Sequence, residues 1–132
     1  MVLELNQNLS ELIGSIIGDG NIYDKRPFYV EITGHPKNDF LYFKRFLLQT
    51  IKNELNYSAK IKVRSFGLRI RVNNKNFIEF LKQIGIPVGK GKFEKVRIPK
   101  LIEESSSECI KSCIRGIFDT DGCVSFDKRG VY

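Results

Sequence analysis

The chain has few cysteines, one histidine and no long apolar segment, and each shortage excludes a class of protein. Its three cysteines, Cys109, Cys113 and Cys123, are odd in number and have neither a C-x-x-C pair nor histidine partners. This argues against a disulfide framework and a zinc site, so we expect small, reduced core residues. No apolar run reaches membrane-spanning length, and no basic segment leads into an apolar one at the N-terminus. We therefore expect a soluble, unsecreted protein without a membrane partner, located in the cytoplasm.

Positive charge exceeds negative charge along the chain. The 22 Lys and Arg residues against 15 Asp and Glu residues give a formal net charge of +7 and a pI near 9.4. Such a charge attracts polyanions over a long range. It suits nucleic-acid-binding proteins, but it suits proteins of anionic membrane surfaces equally, so composition alone does not choose a function.

A nonapeptide near the N-terminus returns about one domain later. Residues 12–20 read Leu-Ile-Gly-Ser-Ile-Ile-Gly-Asp-Gly, and residues 114–122 read Ile-Arg-Gly-Ile-Phe-Asp-Thr-Asp-Gly. A closing glycine is typical of the left-handed position after a helix, which places Asp19 and Asp121 at helix C-termini. The helix dipole disfavours an anion there by about 0.3–1 kcal/mol. A divalent cation would reverse that effect, because hard cations take carboxylate oxygens as ligands. The alternative is a simple Asp-Gly turn.

Small residues recur on one face of each predicted helix. Gly14 and Gly18 in the first copy correspond to Gly116 and Thr120 in the second. Each helical glycine costs about 1 kcal/mol relative to alanine, and a missing side chain lets another backbone approach closely. We therefore expect the two helices to pack through these four residues, so that the two Asp-Gly ends emerge together.

Both nonapeptides resemble the LAGLIDADG motif of homing endonucleases, and the second copy is especially close. The resemblance implies an α+β fold in which each αββαββα half lays a curved antiparallel sheet along the DNA major groove. It also implies that the motif helices form the interface between the halves. The acids in the eighth motif position, Asp19 and Asp121, would bind Mg²⁺ or Mn²⁺. The first copy departs from the pattern at Ile17, where the second has Asp119, but that position is not a metal ligand in the family.

The rest of the chain follows the order of that fold. Ser10 is expected to cap a first helix that begins near Glu11. Apolar residues at helical spacing predict a helix over residues 38–55. The remaining elements of one αββαββα unit are a hairpin turning at 23–27, a second hairpin over 59–72, and a helix over 74–84 capped by Asn73 or Asn74.

We divide the chain into a first half-domain (1–86), a basic linker (87–104), and a segment (105–132) with the second motif and the start of a second half. Ser105-Ser-Ser-Glu108 has the form of a capping box, so the second motif helix should begin there. Only ten residues follow Gly122, enough for one strand over 123–126 and the start of another. The second sheet is therefore missing from the resemblance.

Three explanations of the missing sheet compete. The chain is a fragment of a longer two-motif endonuclease of the intein or archaeal-intron type, or it is a decayed remnant that still folds. In the third, two copies self-associate, through the motif helices or the truncated C-terminal strands, and restore two DNA-binding sheets.

The second hairpin has the strongest binding signal. Strand side chains alternate between faces. The apolar side chains expected toward the helices are Ile61, Val63, Leu68, Ile70 and Val72, and the cations expected to face away are Lys60, Lys62, Arg64, Arg69 and Arg71. A merely solvated surface usually mixes signs, because like charges facing each other across strands destabilise a sheet. Phosphate groups would relieve that repulsion, and Arg often reads guanine edges, so we expect this face to bind double-stranded DNA.

The first hairpin offers less charged candidates. The same alternation exposes Tyr29, Glu31 and Thr33, which suit direct base contacts. His35, the only histidine, follows this strand. In the family the end of this strand brings a basic or polar residue beside the metals, so the resemblance implies a catalytic role for His35. A surface-loop histidine is the alternative.

The resemblance implies site-specific cleavage of double-stranded DNA by metal-assisted hydrolysis, with cations held by Asp19 and Asp121. The rival is a non-cleaving DNA- or RNA-binding module, since maturases and transcription regulators of the same fold keep the sheet and lose the metals. An RNA-binding protein drawn from composition alone explains the charge but not the twin Asp-Gly helix ends.

Overall fold

One αββαββα unit and the helix of the second repeat make up the fold. A computed structural model of the chain describes residues 3–64, 67–89 and 97–120. The helices are α1 (Gln7–Asp19), α2 (Phe40–Tyr42), α3 (Leu48–Leu55), α4 (Lys75–Gln83), α5 (Lys100–Glu103) and α6 (Ser107–Thr120), and a π-helical turn (Phe43–Leu47) joins α2 to α3. The strands are β1 (Gly20–Tyr23), β2 (Tyr29–Gly34), β3 (Ile61–Arg64) and β4 (Gly67–Val72). The predicted element order is thus confirmed.

The four strands form one antiparallel sheet in the order β1-β2-β4-β3. In its register Ile22 pairs with Val30, and Ile32 pairs with Ile70. These apolar side chains are buried, together with those of α1, α3 and α4, which form the core on one face of the sheet. The other face is left for polar side chains, as the alternation of strand residues requires.

The edge strand β3 departs from the predicted pattern. Val63 pairs with the buried Leu68, yet its own side chain is 63% exposed, and Ile61 is only half-buried. Val63 therefore lies on the predicted face of the sheet, the face of Leu68, but the expectation that it packs against the helices is wrong. β3 is the last strand of the sheet, and burial requires a covering helix as well as the correct face.

Helix α1 is buried along most of its length, and both of its ends differ from expectation. Asn6, not Ser10, is the N-cap: its Oδ1 accepts from Leu9 N at 2.8 Å. Gly20 is extended (φ −114°, ψ 165°), so the predicted left-handed position is wrong. The chain passes directly from Asp19 into β1. Glycine is needed there because an added Cβ would lie 2.7 Å from the Ile16 carbonyl oxygen.

The later helix ends are closer to prediction. Asn74 caps α4 through its side chain, as expected. Ser106 caps α6, since its Oγ accepts from Cys109 N at 3.1 Å, so the predicted capping box at Ser105 is displaced by one residue. Within the predicted linker, α5 forms a short helix that buries Ile102. The strand predicted over 123–126 lies outside the described residues.

Two of the cysteines lie on α6, buried and unpaired. Burial raises the pKa of Cys113 to about 12. A hydrogen bond with Ser106 lowers the pKa of Cys109. Cys123 lies outside the described residues. In the part of the chain that the structure describes, no helix is both long enough and apolar enough to cross a membrane.

Candidate nucleic-acid interface and helix pair

Helices α1 and α6 contact each other through backbone at their glycines. A Cβ added to Gly14 would overlap the Cys113 carbonyl oxygen, and one added to Gly116 would overlap that of Glu11. Glu11 and Cys113 occupy the same place relative to the two repeats, one residue before each nonapeptide. Each glycine therefore contacts the carbonyl oxygen of the equivalent residue on the other helix. The two contacts are equivalent, as a local two-fold axis between the helices would require.

The two helices run in the same direction. Near their starts, the Ser10 hydroxyl lies beside the Cys109 thiol. Further along, Gly14 lies between Cys113 and Ile117. The C-terminal ends of α1 and α6 consequently lie at the same end of the pair.

Of the other predicted interface and metal residues, Gly18 is half-exposed in the last turn of α1. The side chain of Thr120 and the whole of Asp121 lie outside the described residues.

Asp19 lies where the helix pair meets the sheet. It is the half-buried last residue of α1, and its carbonyl oxygen is 3.5 Å from Thr33 Oγ1 of β2. Over residues 3–64, 67–89 and 97–120, no group of three or more His, Cys, Asp or Glu side chains could hold a metal. Asp19 is thus the one predicted ligand that can be placed. Its hard carboxylate oxygens, at a helix end with partial negative charge, fit a divalent cation.

His35 is exposed and closes the turn after β2. Its Nδ1 accepts from the backbone nitrogens of Lys37 at 3.1 Å and Asn38 at 3.2 Å, and its backbone nitrogen donates to Asp39 Oδ2 at 2.6 Å. The tautomer of a neutral imidazole that fits these two contacts has its proton on Nε2.

The sheet face opposite the core brings the predicted binding residues of three strands together. Across β2 and β4, Glu31 pairs with Arg71 and Thr33 pairs with Arg69. Across β4 and β3, Arg69 pairs with Lys62. The predicted candidates from separate hairpins are therefore neighbours on one surface.

Glu31 is the acid at the centre of this surface. Its Oε2 accepts from Arg71 Nε at 2.8 Å and from Arg69 Nη1 at 3.2 Å. The residue is only 8% exposed, so the expectation that it is open to solvent is wrong. The physical reason is the register, which places two arginines over it.

Aromatic rings flank the same arginine. Arg71 Cζ lies 4.2 Å from the ring centroid of Tyr29, and Tyr29 stacks on Tyr23 with 4.4 Å between centroids. The hydrogen bond that Arg71 donates to Glu31 raises the pKa of Arg71. Burial raises the pKa of Tyr29, against the opposing effect of Arg71. Tyr23 was assigned to the turn by sequence, although its place opposite Tyr29 in a hairpin is the signal that would have identified it.

The lysines of the second hairpin remain available. Lys60, just before β3, and Lys62 are exposed. Neither takes part in an ion pair with any of the described residues. The side chain of Arg64 lies outside the described residues. The outer part of the surface is thus positively charged, whereas its centre is neutralised in part by Glu31.

A second polar cluster, between α1, α2 and α6, was missed by sequence reasoning. Glu11 is 6% exposed; its Oε2 accepts from the Tyr42 hydroxyl at 2.8 Å and its Oε1 from Arg115 Nη1 at 3.1 Å. The Tyr42 hydroxyl also lies 3.0 Å from Ser15 Oγ.

Burial strongly raises the pKa of Tyr42. The side chain of Asp119 is exposed, and partial desolvation, followed by the charge of Glu11, raises its pKa. No repeat or spacing marks this cluster in the sequence.

Two curated proteins of Methanocaldococcus jannaschii align with most of the chain, whereas no protein-family model matches it. Replication factor C small subunit is 38% identical over 122 residues, and transcription initiation factor IIB is 31% identical over 119 residues. The alignments cover 90% and 89% of this chain but only 6% and 16% of those proteins. The chain thus spans a small part of the length of each relative.

A solved structure of mesophilic variants of the homing endonuclease I-DmoI is similar in architecture. It matches with a TM-score of 0.57 and 18% sequence identity, over 86% of this chain and 61% of that chain. At this identity the likeness concerns the fold alone. The chain therefore has a mixed α/β fold, with a four-stranded antiparallel sheet and helices, similar to that of a LAGLIDADG homing endonuclease.

Proposed function

We propose that the chain belongs to a site-specific, homing-type endonuclease that binds double-stranded DNA on its sheet and hydrolyses phosphodiester bonds with Mg²⁺ or Mn²⁺. One observation carries the proposal: Asp19, the last residue of α1, lies beside Thr33 at the polar face of the sheet. A DNA strand lying on that face would bring its phosphates to the acid.

The charge of the sheet face supports a DNA partner. Lys60 and Lys62 are exposed cations at the rim, and Arg69 and Arg71 lie nearer the centre. Phosphate contacts by such residues release counterions and supply much of the affinity of DNA-binding proteins.

The acids of the two repeats are the proposed metal ligands. Asp19 and Asp121 would hold the cation, whose bound form would supply Lewis-acid activation for phosphodiester hydrolysis. His35, whose Nδ1 accepts two backbone hydrogen bonds, would offer Nε2 as a hydrogen-bond donor to a phosphate oxygen. Thr33 would add a hydroxyl beside the same phosphate.

The pattern of relatives extends the proposal to an origin in an intervening sequence. Two proteins of different names each match nearly all of this chain over a small part of their own length. A mobile endonuclease inserted into unrelated hosts, as an intein or within an intron, would produce this pattern.

Cleavage of a plasmid library with randomised inserts tests the proposal. The full chain should linearise a subset of plasmids with Mg²⁺ and none with EDTA. Asp19→Asn should abolish cleavage and leave DNA affinity unchanged, because it removes a metal ligand and not a phosphate contact. Glu79→Gln, on the exposed side of α4, is the control for a lost carboxylate and should cut normally.

The rival function is DNA binding without cleavage. Charge reversal at Arg69 and Arg71 should remove affinity under either function. If Asp19→Asn cuts as well as the parent, the proposed metal site is wrong. If the parent binds DNA but cuts under no divalent-metal condition, these 132 residues by themselves are a binding module.

A further inference from the structure

Arg71, at the centre of the sheet face, is held from two directions. Its Nε donates to Glu31 Oε2 at 2.8 Å, and its Cζ lies 4.2 Å above the ring of Tyr29, which is itself stacked on Tyr23. The hydrogen bond restricts the guanidinium within its plane, and the ring restricts the orientation of that plane. Arg71 therefore has little rotamer freedom left to lose on binding.

The held guanidinium keeps its terminal edge for a ligand. Among the described residues, Nε is the nitrogen of Arg71 that has a hydrogen-bond partner, and the side chain is 42% exposed. The two terminal nitrogens present parallel N–H donors, which match the O6 and N7 acceptors of guanine in the major groove. A phosphate contact tolerates a mobile charge, whereas a base contact benefits from a fixed fork.

The neighbouring cations lack this arrangement. Arg69 uses a terminal nitrogen, Nη1, on Glu31 at 3.2 Å, and its side chain is 28% exposed. Its fork is therefore partly occupied. Lys62, opposite Arg69 on the edge strand, is a flexible point charge. Both suit phosphate oxygens better than the edge of a base.

We propose that Arg71 is a specificity-determining residue of this sheet, which reads a guanine of the DNA target, and that Glu31 is a positioning residue that acts through it. The inference rests on the proposed DNA-binding function and adds which side chain reads sequence. Glu31 has two separable effects. Its acceptor oxygen orients Arg71, and its negative charge weakens the attraction to any DNA.

A binding selection of the full chain on randomised double-stranded DNA separates these effects. The parent should enrich a target with a guanine at the Arg71 position. Arg71→Lys should lower the preference for that guanine about tenfold or more and leave other positions unchanged. Glu31→Ala should flatten the same position, whereas Glu31→Gln retains an acceptor oxygen and should preserve it. Both Glu31 variants should bind unselected DNA at least as tightly as the parent, because each removes a negative charge.

Lys62→Ala is the control, and it should weaken binding to every sequence alike. The inference is overturned if Arg71→Lys also weakens all sequences equally, or if Glu31→Ala and Glu31→Gln change the preference to the same extent. If Glu31→Ala does not fold, the guanine preference of Arg71→Lys alone tests the inference. A parent that enriches no sequence overturns the proposed function as well. A parent that enriches a target whose profile is unchanged by Arg71→Lys overturns this inference alone.

Discussion

Replacing Gly116 with alanine should force α6 away from α1. The added Cβ would overlap the Glu11 carbonyl oxygen and lie 2.8 Å from Ser15 N, closer than the 3.0 Å that real Cβ atoms keep. These atoms are backbone, so no side chain can rotate away. Overpacking costs about 1–3 kcal/mol, while alanine gains about 1 kcal/mol over glycine in a helix. Because backbone opposes backbone, the upper end applies, and we expect a net loss of about 2 kcal/mol.

Urea denaturation followed by circular dichroism measures this loss as a lower midpoint at constant m-value. Asn53→Ala, at an exposed position of α3, reports helix propensity alone and should be neutral or slightly stabilising. Gly14→Ala should resemble Gly116→Ala, and the double variant should cost less than the sum, because one separation of the helices relieves both overlaps. A Gly116→Ala protein more stable than the parent would refute the direct backbone contact.

Asp119→Asn should stabilise the protein at neutral pH and have little effect in acid. Partial desolvation of the exposed Asp119 carboxyl, and then the charge of Glu11, raise its pKa above the unfolded value. The ionised carboxylate therefore destabilises the folded state, so stability is fully present below the unfolded pKa and is lost as pH rises through the folded pKa. Equal stabilisation by the substitution at neutral and at acid pH in urea titrations would contradict this. Glu11→Ala should lower the free energy of unfolding by about 2 kcal/mol, because Tyr42 and Arg115 lose a nearly buried acceptor. A loss no larger than that of the exposed control Glu79→Ala would show that the cluster is not stabilising.

The alternation of apolar and polar residues was sufficient to predict the faces of the inner strands. Ile32 on β2 and Ile70 on β4 are buried as expected, since helices cover the middle of the sheet. Val63 on the edge strand β3 is exposed, although the same alternation predicts that it is buried. Alternation assigns a residue to a face, but burial also depends on how far the helices extend over that face. That extent is a tertiary property, and it leaves the edge strand uncovered.

The environment of Glu31 was beyond prediction for a related reason. Its face was assigned correctly, but its burial depends on β4 lying beside β2 in the register that sets Arg71 opposite it. Two hairpins of known sequence can be joined along different edges. Which edges pair is decided by the packing of the whole sheet, so the Glu31–Arg71 bond follows from topology and not from either hairpin alone.

Helix starts failed by small amounts where several residues could cap. Ser10 and Asn6 are both good N-caps, one turn apart, and the chain uses Asn6, which leaves Ser10 inside the helix, fully buried. Ser105 and Ser106 are adjacent candidates of the same type, and Ser106 is the one used. Local chemistry limits the choice to one turn, and tertiary contacts select within it.

The helix pair separates what a repeat can predict from what it cannot. Gly14 and Gly116 make equivalent backbone contacts. Such contacts require only that a side chain be absent, and a glycine in each nonapeptide shows this in the sequence. The flanking positions Glu11 and Cys113 are equivalent in place but not in chemistry. Glu11 hydrogen-bonds Tyr42, a residue of a different element, whereas Cys113 is simply buried. A network needs a partner from elsewhere in the chain, so the repeat supports the convergence of the two Asp-Gly ends and carries no information about the Glu11 cluster.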